Sequence, residues 1–227
     1  MSDVTEPVVP TEGLAVVHLF GKVPAATDRE AVVAAVKAAQ AADVQVVTFA
    51  VLGHKADVGF MTLADDVWKL RDLQSAVQAA GVEVVDSYVS VTEVSEYAQH
   101  LTEGMKRPRL YPQLPPDDKS AICFYPMSKR RNADHNWYAL PYEQREELMQ
   151  GHGKVGRTFA GRVVQLITAS TGIDDWEWGV TLFAAHPDDL KDVVYTMRFD
   201  EASAHYAEFG PFVTGMIADV EEVMSRV

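Results

Sequence analysis

The chain has 227 residues, 48% of them hydrophobic, enough for one large globular domain or two small fused ones. Its formal charge of −13 argues against nucleic acid or an anionic membrane as partner, and its single cysteine, Cys123, excludes a disulfide framework, a thiolate cluster and any Cys-x-x-Cys motif. The N-terminus lacks a basic head followed by an apolar run and no segment approaches 18 apolar residues, so the sequence reads as soluble and cytoplasmic, without membrane insertion.

Residues 1–12 are polar and proline-containing and read as a flexible arm. An apolar strand follows over 14–23. Thr27, Asp28 and Glu30 read as a capping box opening an alanine- and valine-rich helix that runs to 42. Strands are expected over 44–52 and 58–63, a helix from Asp65 and Asp66 to about Gly81, and a long alternating strand over 82–96. A proline-rich connection (Pro108, Pro112, Pro115, Pro116) then leads to a strand over 121–129. Pro141, as a first-turn proline, opens the next helix, strands follow over 162–171 and 176–184, Pro187 opens a helix to about Phe199, and 206–212 reads as a closing strand.

The order β-α-β-β-α-β thus occurs twice, and residues 58–66 echo 179–189. The fold class is α+β, two fused ferredoxin-like repeats, over 13–106 and 107–227. Such sheets pack face to face or close into a barrel, with a pocket between helix and sheet in each half. Only the second half carries unusual chemistry there; the first reads as structural.

The stretch around His152 places three glycines beside one histidine on a mostly apolar helical face, an arrangement suited to close approach by something wide and flat. Alone, it fits a satisfied core histidine equally well. On the strand before it, Tyr125, Met127 and Lys129 share one face, which fits either a pocket that meets carboxylates at its rim or an amphipathic edge strand opened by Pro126. Gln165 sits among β-branched residues and requires a partner if buried. Glu201 and Ser203 close a later helix, where Glu201 is placed to accept from an imidazole and Ser203 to bind a carboxylate; capping explains both as well. His135 and His186 read as loop histidines. More than half of the twenty Lys and Arg lie between Lys106 and Arg162, including Arg109, a basic region suited to a small anionic ligand or to a solvated loop.

Five segments occur in order: Phe124 to Arg131, Asn136 to Pro141, Gly151 to Arg157, Gly172 to Gly179, and Met197 to Gly210. Together they closely resemble the coproheme decarboxylases of the chlorite dismutase-like haem protein superfamily, densely from about Arg107 to Phe212 and more loosely before. The resemblance implies a dimeric α+β barrel type of fold with the haem pocket in the C-terminal repeat, assembled as a homopentamer. It matches His152 with the axial iron ligand, Tyr125 with a tyrosine that becomes a radical, Met127 with a pocket methionine and Lys129 with a lysine near a propionate. Gln165 falls where decarboxylases have glutamine and chlorite dismutases arginine. Ser203 and Arg109 match propionate-binding residues, and Glu201 a carboxylate behind the histidine.

The activity implied is peroxide-dependent oxidative decarboxylation of two propionates of iron-coproporphyrin III (coproheme, both cofactor and substrate) to vinyl groups. The product is haem b, in the last step of coproporphyrin-dependent haem biosynthesis, with hydrogen peroxide as co-substrate and a ferrochelatase as upstream donor. A Tyr125 radical would take hydrogen from a propionate while Lys129 orients the carboxylate. The alternatives are a non-enzymatic haem carrier or sensor, and a chlorite dismutase-like or peroxidase activity. Gln165 in place of a cation counts against chlorite chemistry.

Overall fold

The computed structural model describes residues 6–227. Of the expected N-terminal arm, residues 1–5 lie outside the described residues. In the remainder, the Val8 N–H donates to Asp66 Oδ1 at 3.0 Å and its carbonyl accepts from Val67 N at 2.9 Å.

The first repeat contains β1 (Ala15–Lys22), α1 (Arg29–Ala41), β2 (Gln45–Val51), β3 (Val58–Ala64), α2 (Val67–Ala79) and β4 (Glu83–Thr92). A 3-10 turn (Glu96–Ala98) and α3 (Glu103–Leu110) connect it to β5 (Ala121–Lys129). A second 3-10 turn (Trp137–Ala139) precedes α4 (Tyr142–Arg157), followed by β6 (Val163–Ala169), β7 (Trp178–Ala184), α5 (Pro187–Met197), α6 (Glu201–Tyr206) and β8 (Ala207–Phe209). Two further elements end the chain, β9 (Val213–Ile217) and α7 (Val220–Arg226).

Each repeat has the strand order of a ferredoxin-like sheet: β4-β1-β3-β2 in the first and β8-β5-β7-β6 in the second, all antiparallel. β4 meets β6 at Val91 and Thr92, β9 bridges β2 to β5, and the β5–β7 pairing closes the sheet on itself. The barrel interior is aromatic and aliphatic, with Phe20, Phe49, Phe124 and Phe183 almost wholly buried. Gly59 lets β3 lie against the Phe49 ring, which a Cβ there would meet at 2.1 Å.

The boundaries differ from expectation for local reasons. Asp28, not Thr27, caps α1 by accepting from Ala31 N, while Thr27 Oγ1 donates to Gly81 O at 3.0 Å. Pro141 is the N-cap of α4 rather than its first helical residue. α3 occupies the expected proline-rich connection despite Pro108 inside it, and the repeat boundary read at 106–107 falls within this helix. Pro126 is not on an edge: β5 pairs with β7 from Ala121 to Met127, and Pro126 lies where its other partner changes from β9 to β8. The expected strand over 206–212 is the end of α6 followed by the short β8. Residues after Phe212 cross back: β9 pairs with β2, and Val220, Val223 and Met224 of α7 join the core over the first repeat.

One asymmetry between the repeats creates the site. α1 presents Val32, Val36 and Ala39 to the sheet, and each buried valine contributes roughly 1.5–3 kcal/mol. Its counterpart α4 has no such stripe, and none of its side chains is fully buried. A cavity separates it from the sheet.

Candidate active site

The cavity, about 590 Å³, lies between the outer face of β5, β7 and β6 and the helices α4 and α5, with residues 93–98 and Pro108–Arg109 of the connector as a wall. Ladder partners project to the same face, so the register lays out the floor in rows. Tyr125, Val180 and Ile167 form one row, Met127, Trp178 and Ala169 the next, and Leu182 lies beside Gln165 on the other side. Tyr125, Met127, Lys129, His152, Gln165, Ser203 and Arg109 all line this cavity. The strand alternation that groups the β5 residues in the sequence therefore places them in one wall.

His152 projects from α4 with its side chain partly exposed, and its Nδ1 lies 3.1 Å from Asp200 Oδ2. Burial pushes the Asp200 carboxyl up, but hydrogen bonds from His152 and Ser203 together outweigh it and hold the group below the usual carboxylate range. An ionised carboxylate only accepts, so Nδ1 is the donor of this pair and Nε2 is the ring nitrogen available to a metal. Asp200 also caps α6, with Oδ1 accepting from Ala202 N at 3.0 Å and Ser203 N at 3.2 Å. The expectation placed Glu201 in this role. Glu201 instead is exposed in the first turn of α6, because the N-cap position is the one that turns its side chain toward α4. An Asp three residues before Ser203 at a helix start is a capping signature that would have identified it.

Ser203 is buried and its Oγ lies 3.5 Å from His152 Nδ1, beside the histidine as well as on the cavity. Of the glycines near His152, only Gly156 looks across toward the sheet, where a Cβ would stand 4.0 Å from Gln165 Nε2; at Gly151 a Cβ would meet nothing. The helix thus comes down onto Gln165 at its C-terminal end, and Met149 lines the cavity nearer its start.

Tyr125 is 8% exposed, stacked on Phe212 at 4.4 Å between ring centroids, with the Phe209 edge at 5.7 Å. Burial, aided by Cys123, raises its pKa well above the usual phenol value, against a small opposing effect of Arg198. Lys129 is equally buried, its Nζ 4.1 Å from the centre of the Trp137 ring and 3.5 Å from Ala202 O. Burial pulls this ammonium down to about 8, opposed by Asp200 and Glu177, so it remains mostly charged at neutral pH. Glu177, itself buried, accepts from the Lys129 backbone N–H at 2.7 Å and fixes the end of β5. Arg109 is exposed on α3 at the cavity rim, its guanidinium turned to Met105 O. Trp137, Asp200 and Glu177 are site residues that residue-type reasoning did not single out.

The chlorite dismutase family model matches residues 24–218, most of the chain. The chain belongs to the chlorite dismutase family. A haem-binding protein from Thermus thermophilus is 35% identical and superposes with a TM-score of 0.84 over 97% of this chain and 98% of that one. A variant chlorite dismutase from Candidatus Nitrospira defluvii, 20% identical, shares the fold with a TM-score of 0.76 over 96% of each chain. A candidate haem-binding protein of Natronomonas pharaonis is 47% identical over 193 residues, 78% of this chain but 32% of that protein. The chain therefore spans about a third of the length of that curated relative. No helix among the described residues is long and apolar enough to cross a membrane.

Proposed function

We propose that this member of the family is a coproheme decarboxylase, converting two propionates of iron-coproporphyrin III to vinyl groups with hydrogen peroxide. The observation that carries the reading is the convergence of Tyr125 and Lys129 on one face of a cavity that His152 enters from the opposite helix. The lining fits the group. Val180, Leu182 and Ile167 make an apolar floor, Lys129 and Arg109 supply cations for carboxylates, and His152 Nε2 is the free nitrogen. The relatives described as haem-binding support the same ligand class.

Bound on His152, the iron porphyrin would supply the centre at which peroxide is reduced and oxidising equivalents are generated. The chain's own residues direct them. Tyr125 stays protonated because burial opposes its phenolate, so it gives up an electron and a proton together. Its stacking on Phe212 keeps the phenol in place. The Tyr125 radical then removes a hydrogen atom from a propionate β-carbon, and a second electron is given up as carbon dioxide leaves, so each vinyl group consumes one peroxide. Lys129, charged and backed by the Trp137 ring, holds the carboxylate that reacts. Gln165 offers an amide to small ligands but no cation of the kind that would hold chlorite.

Reconstitution with ferric coproporphyrin, stepwise peroxide addition and mass analysis of the porphyrin test this. Two successive losses of carbon dioxide plus two hydrogens are expected, and Tyr125→Phe should bind the porphyrin yet leave its mass unchanged. Tight binding by the wild type without any mass change would replace the enzyme with a haem carrier.

A further inference from the structure

The β4–β6 ladder pairs Val91 with Ala169 and Thr92 with Thr168. Glu93 is the residue that follows the last pair of this ladder, and both it and Ile167 line the cavity. The floor row of Tyr125, Val180 and Ile167 therefore points across the sheet toward β4, the strand that Glu93 follows. Trp178, in the adjacent floor row, donates from Nε1 to Glu93 Oε1 at 3.3 Å and ties the carboxylate to the cavity wall. Gln165 lines the same cavity from β6, the strand that pairs with β4. Among the described residues the cavity lining holds one other carboxylate, Glu96, and that one is paired with Arg145 at 3.2 Å. Gln165 cannot take a proton, and the lining's cations have none to accept.

We propose that Glu93 is the proton-transfer residue for peroxide, a role that rests on the decarboxylase reading. The carboxylate accepts the proton from the oxygen that binds and returns it to the other oxygen. The O–O bond breaks with its electron pair on the departing oxygen, which leaves as water, and the oxidising equivalents pass to the iron porphyrin. Trp178 is the positioning residue that aims the carboxylate.

Glu93→Gln tests this cleanly, because an amide oxygen still accepts from Trp178 and only basicity is lost. In haem-loaded protein, association of cyanide, which arrives as neutral hydrogen cyanide and must lose a proton, should slow about 100-fold, as should peroxide consumption. Imidazole, which binds without losing a proton, should keep its affinity, and Glu93→Asp should recover part of the cyanide rate. A Glu93→Gln protein with the wild-type cyanide rate overturns the proposal, as does a slowing that also weakens imidazole and is not relieved by aspartate. A wild type that shows the Glu93-dependent cyanide rate but leaves coproporphyrin intact refutes the decarboxylase and keeps the proton-transfer role; the converse result does the opposite.

Discussion

Asp200 uses both of its oxygens, one on His152 and one on the first turn of α6, so the imidazole and the helix start are a single assembly. Asp200→Asn keeps a good cap but removes the negative charge behind the imidazole. It is expected to weaken haem binding about 10–100-fold in a reconstitution titration while moving stability by a few tenths of a kcal/mol. Asp200→Ala should show the same loss of binding and a further ~1 kcal/mol of destabilisation from the lost cap. Residue-scale features were legible where the backbone period decides direction: Tyr125, Met127 and Lys129 share a face in any strand. They were not legible at Asp200 and Glu201, where two adjacent carboxylates differ only in which one occupies the cap. Trp137 was hidden similarly, since its meeting with Lys129 depends on where the 131–136 segment folds back.

At the scale of elements, α4 departs from α1 by exchanging an apolar stripe for polar residues and glycines. The glycines should separate by experiment. Gly151→Ala meets nothing within 4 Å, so it is expected to stabilise the protein by roughly 0.5–1 kcal/mol, seen as a higher denaturant midpoint, with haem affinity unchanged. Gly156→Leu extends a side chain toward Gln165 and narrows the gap between helix and sheet; haem affinity should fall at least tenfold while the apo protein stays folded. The regular elements of both repeats were readable because their periodicity and caps agree. α3 was not, since Pro108 reads as a breaker and here stands inside a helix of only eight residues. β9 escaped because its five residues include Gly215 and its partners, β2 and β5, come from different repeats.

Considered as a whole, the molecule places an imidazole in the barrel interior. His18 is fully buried, its Nε2 bonded to Thr181 Oγ1 at 3.0 Å, its ring 4.2 Å from that of Phe124, and its Nδ1 without a partner among the described residues. Burial lowers its pKa from 6.5 to about 3. The unfolded chain therefore binds a proton that the folded chain refuses, and stability is complete above about 6.5 and falls as the pH drops toward 3. Between pH 6.5 and 4 this one group should account for about 3 kcal/mol, and urea unfolding of His18→Leu across that range should show an acid limb shallower by that amount. The duplication and barrel-forming potential were apparent in the chain, but the side chains enclosed by the closed sheet follow from long-range register, which β1 alone does not reveal. A final consequence concerns α4, which packs no side chain of its own fully into the protein. Whatever fills the space beneath it completes a local fold, so binding and ordering become one linked equilibrium. Stability then tracks ligand supply, rising by about 2.7 kcal/mol at a hundredfold excess over Kd. In a cell short of ligand, α4 would be the first segment to admit solvent, exchange its amide hydrogens and offer a protease its backbone.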